Sequence, residues 1–288
     1  MCGVKAMQIG TQTFGLAKEL NTDLIGTLQT LREIGFEQIE PYLLFSDKQG
    51  KRAKNIWAKD TLNTALPVLR DLGMGTPSFH IGIGYGWLSM PVGMITKNLF
   101  ALQEKTGTST FVISGLFGTA AQTKHWAKLF DEIQKSVSSN GIQILCHTHD
   151  DEFKKIPYKG EFKEALAVFF DRMESNIKLQ LDIGWAALAG DEVSIAKRYA
   201  DRIVSLHLKD FYPGCRGNYT RRTVPETQFA PIGCGEVRHT EVIALRDQFK
   251  HYNGSLIIDQ DKYTGNMLDS LRIGYENIRS AIEEDAKK

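Results

Sequence analysis

Short apolar or alternating runs recur along the chain, each followed by a longer stretch in which apolar residues return every three or four positions. The short runs predict eight β-strands: residues 4–10 (VKAMQIG), 38–40 (QIE), 76–80 (TPSFH), 110–114 (TFVIS), 142–148 (IQILCHT), 178–183 (KLQLDI), 203–208 (IVSLHL) and 255–259 (SLIID). The longer stretches predict amphipathic helices. Leu24, Leu28, Leu31 and Ile34 share one helical face, as do Trp126, Leu129, Ile133 and Val137, and then Leu268, Leu271, Tyr275, Ile278 and Ile282. Leu72-Gly73, Asn140-Gly141 and Asn253-Gly254 place a residue tolerant of left-handed backbone just before a predicted strand.

Eight strand-helix units in 288 residues average about 36 each, long enough for right-handed parallel crossovers. This predicts an α/β fold, a (β/α)8 TIM barrel, with a doubly wound open sheet as the alternative. Two stretches, 41–60 and 211–235, hold the surplus length. Both follow a strand and precede a helix, which in a barrel places them at the C-terminal mouth where active sites are built. No linker, low-complexity tract or composition shift divides residues 1–288, so a single domain is expected.

Composition narrows the classes. With 35 Lys+Arg against 34 Asp+Glu the net charge is +1, which argues against a dedicated nucleic-acid binder. The 42% apolar content suits a packed globular core. No apolar run reaches the roughly 18–20 residues of a membrane span and none near the N-terminus resembles a signal peptide, so a cytosolic protein is expected. Cys2, Cys146, Cys215 and Cys234 form no CxxC pair and read as reduced thiols, Cys146 as inward-facing core.

The chemistry-bearing residues cluster at predicted strand ends. Glu40, His80, the run His147-Thr148-His149-Asp150-Asp151-Glu152, Asp182, His207, and Asp259 with Asp261 all fall there, and a barrel makes these positions converge. Buried carboxylates crowded together repel one another unless a cation or protons neutralise them, and a divalent metal is the economical cation. Mixed imidazole and carboxylate ligation suits Mn²⁺, Zn²⁺, Fe²⁺ or Co²⁺ better than Ca²⁺. The glycine-rich runs at 82–86 and 233–235 lack the strand, GxGxxG and helix order of a dinucleotide site, and no GxSxG elbow occurs.

Six blocks, in this order, carry a resemblance to a known family: LREIGFEQIEPY (31–42), LCHTHDDEF (145–153), LDIGWAALAGDE (181–192), SLHLKDF (205–211), PIGCGEV (231–237) and IIDQD (257–261). The chain resembles, over nearly its whole length, the xylose isomerase-like barrel superfamily and within it the sugar phosphate isomerase/epimerase group in its HNHxxEF form. The resemblance implies a divalent metal (Mn²⁺, Zn²⁺, Co²⁺, Fe²⁺ or Mg²⁺) held by Asp182 and His207, matched residue for residue, by Asp259 where relatives carry glutamate, and by Glu152 or His149 at the fifth strand. It further implies proton transfer by Glu152 with Asp259 or His80, and substrate contacts from Glu40, His147 and Lys209; Trp185 offers a face to a sugar ring, and Arg216, in the 211–235 loop, a grip on an anionic or large polar substrate. Arg221 and Arg222, beside Arg216 in the 211–235 loop, are additional candidates for gripping an anionic or large polar substrate.

The expected activity is therefore isomerisation or epimerisation of a sugar, keto-sugar or related polyol through a metal-stabilised enediolate. A dehydratase or lyase acting on 3-keto sugars, keto-glycosides or an inosose is the alternative, since the same proton abstraction can expel a neighbouring hydroxyl or glycoside. An endonuclease IV-like nuclease is more remote, because the chain has 7 histidines and no basic excess. A non-catalytic sugar sensor is a fourth. The expected partner is a small-molecule carbohydrate, with no nucleic acid and no membrane; relatives often associate, which leaves a homo-oligomer open.

Overall fold

The computed structural model describes residues 7–45, 59–83, 91–115 and 117–287. The 41–60 stretch lies mostly outside these residues, as do Cys2, the first part of the 4–10 strand and Gly84, Tyr85 and Gly86.

In chain order the strands are β1 (Gln8–Gln12), β2 (Gln38–Glu40), β3 (Tyr42–Phe45), β4 (Phe79–Ile83), β5 (Thr110–Ser114), β6 (Gln143–His147), β7 (Lys155–Tyr158), β8 (Glu161–Glu164), β9 (Lys178–Asp182), β10 (Ile203–Leu208), β11 (Asp210–Phe211), β12 (Phe229–Ala230) and β13 (Ser255–Ile258). The helices are α1 (Ala17–Thr22), α2 (Leu24–Ile34), α3 (Lys59–Asp71), α4 (Val92–Thr106), α5 (Ala120–Val137), α6 (Ala165–Asp171), α7 (Ile183–Ala189), α8 (Glu192–Arg198), α9 (His239–Ile243) and α10 (Met267–Asp285).

Nine strands form one parallel sheet, in the order β2-β1-β13-β10-β9-β6-β5-β4-β3. The two ends of that order are consecutive in sequence, separated only by Pro41. Proline has no N–H to give a ladder, so one barrel strand is split into two. Glu40 still accepts from Thr13 N–H on the β1 side at 3.1 Å, and Pro41 accepts from His80 N–H on the β4 side at 2.9 Å. Residues 38–45 therefore join both ends of the sheet, and the eight predicted strands close a barrel instead of lying in an open sheet.

The predicted helical faces pack inward. Leu28, Leu31 and Ile34 of α2, Trp126, Leu129, Ile133 and Val137 of α5, and Leu271, Tyr275 and Ile278 of α10 are all buried, while Leu24, Leu268 and Ile282 lie partly buried at the edges. Side-chain caps start these helices: Asp23 accepts from Gly26 N–H, Thr119 from Gln122 N–H, and Asn266 from Leu268 and Asp269 N–H. Gly73, Gly141 and Gly254 take positive φ at the predicted stops.

A third excursion follows β6, where the sequence pattern predicts no strand. After β6 the chain forms an antiparallel hairpin of β7 and β8, turned by Lys159 and Gly160, both at positive φ. The 211–235 loop is tied back by antiparallel pairing of β11 with β12. Just before it Asp210 accepts the N–H groups of Gly233, Gly235 and Val237.

Candidate metal-binding site

Strand alternation sets the site. In β9, Gln180 and Asp182 share the inward face; in β10, His207 and then Lys209 follow two residues apart. Register places His207 beside Asp182 and His147 beside Gln180. The result is a cavity of about 410 Å³ at the C-terminal ends of the strands, with His80, His147, Lys209 and Asp259 low in it and Trp185 and Phe229 among its walls.

Beneath it Glu40 organises the imidazoles. This carboxylate is buried, and accepts from Ser78, from Gln180 Nε2 at 2.7 Å and from His207 Nε2 at 2.8 Å. Burial alone would raise its pKa, yet His207 and His80 hold it far below the usual carboxylate range. Because the Gln180 amide nitrogen faces Glu40, its Oε1 faces His147 Nδ1 at 3.1 Å. His147 therefore carries its proton on Nδ1 and presents a bare Nε2. Burial, then the neighbouring His207, keeps this ring well below the ordinary histidine pKa, so it is neutral.

His80 is positioned in a similar way. Phe14 N–H donates to Gln12 Oε1, which turns Gln12 Nε2 to His80 Nδ1 at 3.2 Å; the same ring nitrogen lies 3.4 Å from Glu40 Oε1, and the other lies 2.9 Å from Ser114 Oγ. His207 is the opposite case. Both its nitrogens meet carboxylates, Glu40 at 2.8 Å and Asp259 at 3.0 Å. Burial opposes its charge, but those two partners prevail and push its pKa up to about 10.

Asp182 divides its two oxygens. Oδ1 caps α7 by accepting from Trp185 N–H at 2.9 Å, and Oδ2 lies 3.2 Å from Lys209 Nζ and 3.9 Å from His147 Nε2. Lys209 Nζ also lies 2.7 Å from Asp259 Oδ2 and 2.9 Å from Asp261 Oδ2. Asp259 Oδ1 is buried without a hydrogen-bond partner among the described residues.

These observations fit a divalent cation. One ligand atom from each of His147, Asp182, His207 and Asp259 lies within 4.8 Å of the others. That approaches the roughly 3–4 Å spacing of ligands around an ion bound at about 2.1 Å. The carboxylates of Glu40, Asp182, Asp259 and Asp261 outnumber the cations Lys209 and His207 by two. The deficit registers in Asp182, whose pKa is raised by burial and by Asp259, and in Asp261, raised by burial and its acidic neighbours to about 6 against the pull of Lys209.

The sequence-predicted residues thus separate. Asp182, His207 and Asp259 come together, and the fourth member is His147, assigned from sequence to substrate contact. Glu152 stays outside the group: its Oε2 accepts from His149 N–H at 2.8 Å, and its Oε1 lies 3.9 Å from His149 Nδ1. The short 3-10 turn Asp151–Phe153 carries the side chain behind His149, which itself lines the cavity. Glu40 sits under the imidazoles and not in the cavity lining. Trp185 and Lys209 line it, the ammonium 5.2 Å from the indole centroid.

Arg216 lies elsewhere: its guanidinium forks onto Glu192 at 2.6 and 3.0 Å and donates to the carbonyls of Ala187 and Gly190. Cys146 is buried, and burial pushes its thiol pKa well up, as expected of inert core. Gln12 and Gln180 were missed. The signal was present in KLQLD, where a glutamine shares the inward face with the aspartate two residues later.

Comparison with known proteins adds the family. The family model described as xylose isomerase-like TIM barrel matches residues 28–281. The chain belongs to that family. Among solved structures it is similar to a sugar phosphate isomerase/epimerase from Parabacteroides distasonis, with 16% identity, a TM-score of 0.71, and coverage of 97% of this chain and 98% of that one. It is also similar to the probable 3-DHS dehydratase AsbF of Bacillus anthracis (17% identity, TM-score 0.69, coverage 95% and 99%). A third is a D-allulose 3-epimerase from Methylomonas sp. (12%, 0.63, coverage 98% and 100%). At these identities the structural likeness speaks for the barrel alone. No protein of curated function matches the sequence. No helix among the described residues is long and apolar enough to cross a membrane.

Proposed function

We propose that this family member is a divalent-metal-dependent isomerase or epimerase of a sugar, keto-sugar or related polyol. The observation that carries the reading is the convergence of His147, Asp182, His207 and Asp259 in one cavity, with the His147 tautomer set for ligation and two negative charges uncompensated. When bound, a divalent ion supplies positive charge against the negative charge that builds on a carbonyl oxygen as a neighbouring proton leaves. Mn²⁺, Zn²⁺, Co²⁺ and Fe²⁺ suit the mixed imidazole and carboxylate set, and Mg²⁺ suits its carboxylates.

Proton transfer then falls to groups that face the cavity outside the ligand set. Asp261, with its carboxyl near 6, follows β13 and accepts or returns a proton near neutral pH. His149 follows β6, three places along the sheet from β13, with Glu152 behind its ring. Two such groups on different sides of one cavity suit removal of a proton and its return at a neighbouring carbon or on the opposite face. Asp259, already held by His207 and Lys209, serves as ligand in this scheme, and His80 positions the imidazole group. Trp185 presents an aromatic face for the apolar side of a sugar ring.

The raised carboxyl of Asp261 also favours a second reading, because its acid form can protonate a departing hydroxyl and turn isomerisation into dehydration. The test is exchange of substrate protons in D₂O, followed by NMR on a panel of ketoses, with mass spectrometry of the product. Exchange without loss of mass supports the isomerase, loss of one water the dehydratase. Absence of exchange with metal bound across the panel contradicts both.

A further inference from the structure

We propose that the substrate carries an oxyanion, carboxylate or phosphate, at the end remote from the reacting carbon, and that Arg221 and Lys262 at the cavity rim recognise it. The inference rests on the reading above only for which end of the substrate reacts.

Arg221 is built into place. Its backbone N–H donates to Asp150 Oδ1 at 3.2 Å and its Nε to Asp151 Oδ2 at 3.1 Å. Its side chain is only 18% exposed and lines the cavity, and its two terminal nitrogens have no partner among the described residues. A guanidinium held by Nε keeps the geometry that grips a carboxylate or phosphate with two parallel bonds.

The local charge does not cancel it. Asp151 is shared with Arg222 at 2.7 Å and with Lys154, whose ammonium also lies 3.7 Å from Asp150, so two carboxylates face three cations. The run His149-Asp150-Asp151-Glu152, read from sequence as metal-competent, thus does different work at its centre: it clamps the 211–235 loop so that Arg221 reaches the cavity.

Lys262 lines the same cavity and makes no ion pair with a described residue. Its ammonium lies 5.9 Å from the Phe229 ring centroid, and its carbonyl is anchored by Gln260 Nε2 at 2.8 Å. Asp259 and Asp261, which line the same cavity, are engaged by Lys209. An acidic floor that calls for a metal and a basic rim left uncompensated match a substrate with oxygens to chelate at one end and an anion at the other.

Calorimetric titration of the metal-loaded protein with D-glucose, D-glucuronate and D-glucose 6-phosphate tests this. At least one anion is expected to bind about tenfold or more tightly than glucose, and whichever is preferred identifies carboxylate or phosphate. R221Q should abolish most of that preference and K262Q should reduce it. R222Q, altered on the same Asp151 but outside the cavity lining, should retain it. If R221Q fails to fold by circular dichroism, K262Q, at an exposed position, decides the matter alone.

Equal binding of glucose and both anions, no anion binding at millimolar concentration, or an unchanged preference in the folded variants overturns the proposal. Binding is read without turnover, so failure here is distinct from failure of the isomerase reading, which is judged by proton exchange.

Discussion

Gln180 makes two hydrogen bonds that decide the state of two other residues: its amide nitrogen satisfies Glu40 and its oxygen fixes the His147 tautomer. Replacing it with Leu should lower metal affinity about 10- to 100-fold, as loss of a residue that orients a ligand does. It should also cost about 1–3 kcal/mol of stability, because Glu40 loses a buried donor. Competition against a chromogenic chelator and chemical denaturation measure the two, and unchanged affinity would remove Gln180 from the site. His207 yields a pH prediction. It is held protonated up to about pH 10 by Glu40 and Asp259 against its own burial, so an ion bound through it must displace a proton. Metal affinity should therefore rise with pH between about 6 and 10, up to tenfold per unit, and titration in buffers of different ionisation enthalpy should show proton release. At this scale Asp182, His207 and Asp259 were legible as chemistry-bearing residues at predicted strand ends, and it was the family resemblance that singled them out as candidate ligands. The sequence was not legible at the fifth barrel strand. There the choice between His147 and Glu152 depends on where the strand ends, and a turn of three residues swings Glu152 out of the ligand group.

The elements that hold these residues are short and packed closely. α7 begins on the Asp182 cap, and its Gly184 lies against the β10 extension: a Cβ there would collide with the Lys209 carbonyl and lie 2.7 Å from Lys209 Cβ. Gly184→Ala should therefore displace Lys209, cost about 1–3 kcal/mol in thermal or urea denaturation and impair turnover. Wild-type stability in that variant would show that the contact yields. All eight barrel strands were readable, because buried parallel strands are apolar runs and the helices between them carry a 3.6-residue period. The β7–β8 hairpin was not, since its strands are charged and partly exposed, and only the Lys159-Gly160 turn marks it.

For the whole molecule, the mouth loops are joined to the outer helices through Glu192, a buried carboxylate at the start of α8 that receives Arg216 and Arg238. Burial would raise its pKa, but hydrogen bonds from the two arginines lower it from 4.5 to about 2. A carboxylate depressed on folding stabilises above its unfolded value and loses that contribution as pH falls. This share of stability is accordingly present above about pH 4.5 and fades towards pH 2. With both arginines partly exposed, it amounts to about 1–2 kcal/mol. Glu192→Gln should lose that amount at neutral pH and show a flatter acid limb in urea denaturation; identical acid limbs would contradict it. The proposed chemistry requires a cation at the foot of the barrel mouth. Metal content after loading and dialysis tests this most directly: one equivalent of Mn²⁺ or Zn²⁺ per chain is expected in the wild type, and a small fraction of that in folded His207→Ala and Asp182→Asn variants. A wild type that retains no metal, or variants that retain a full equivalent, would contradict it.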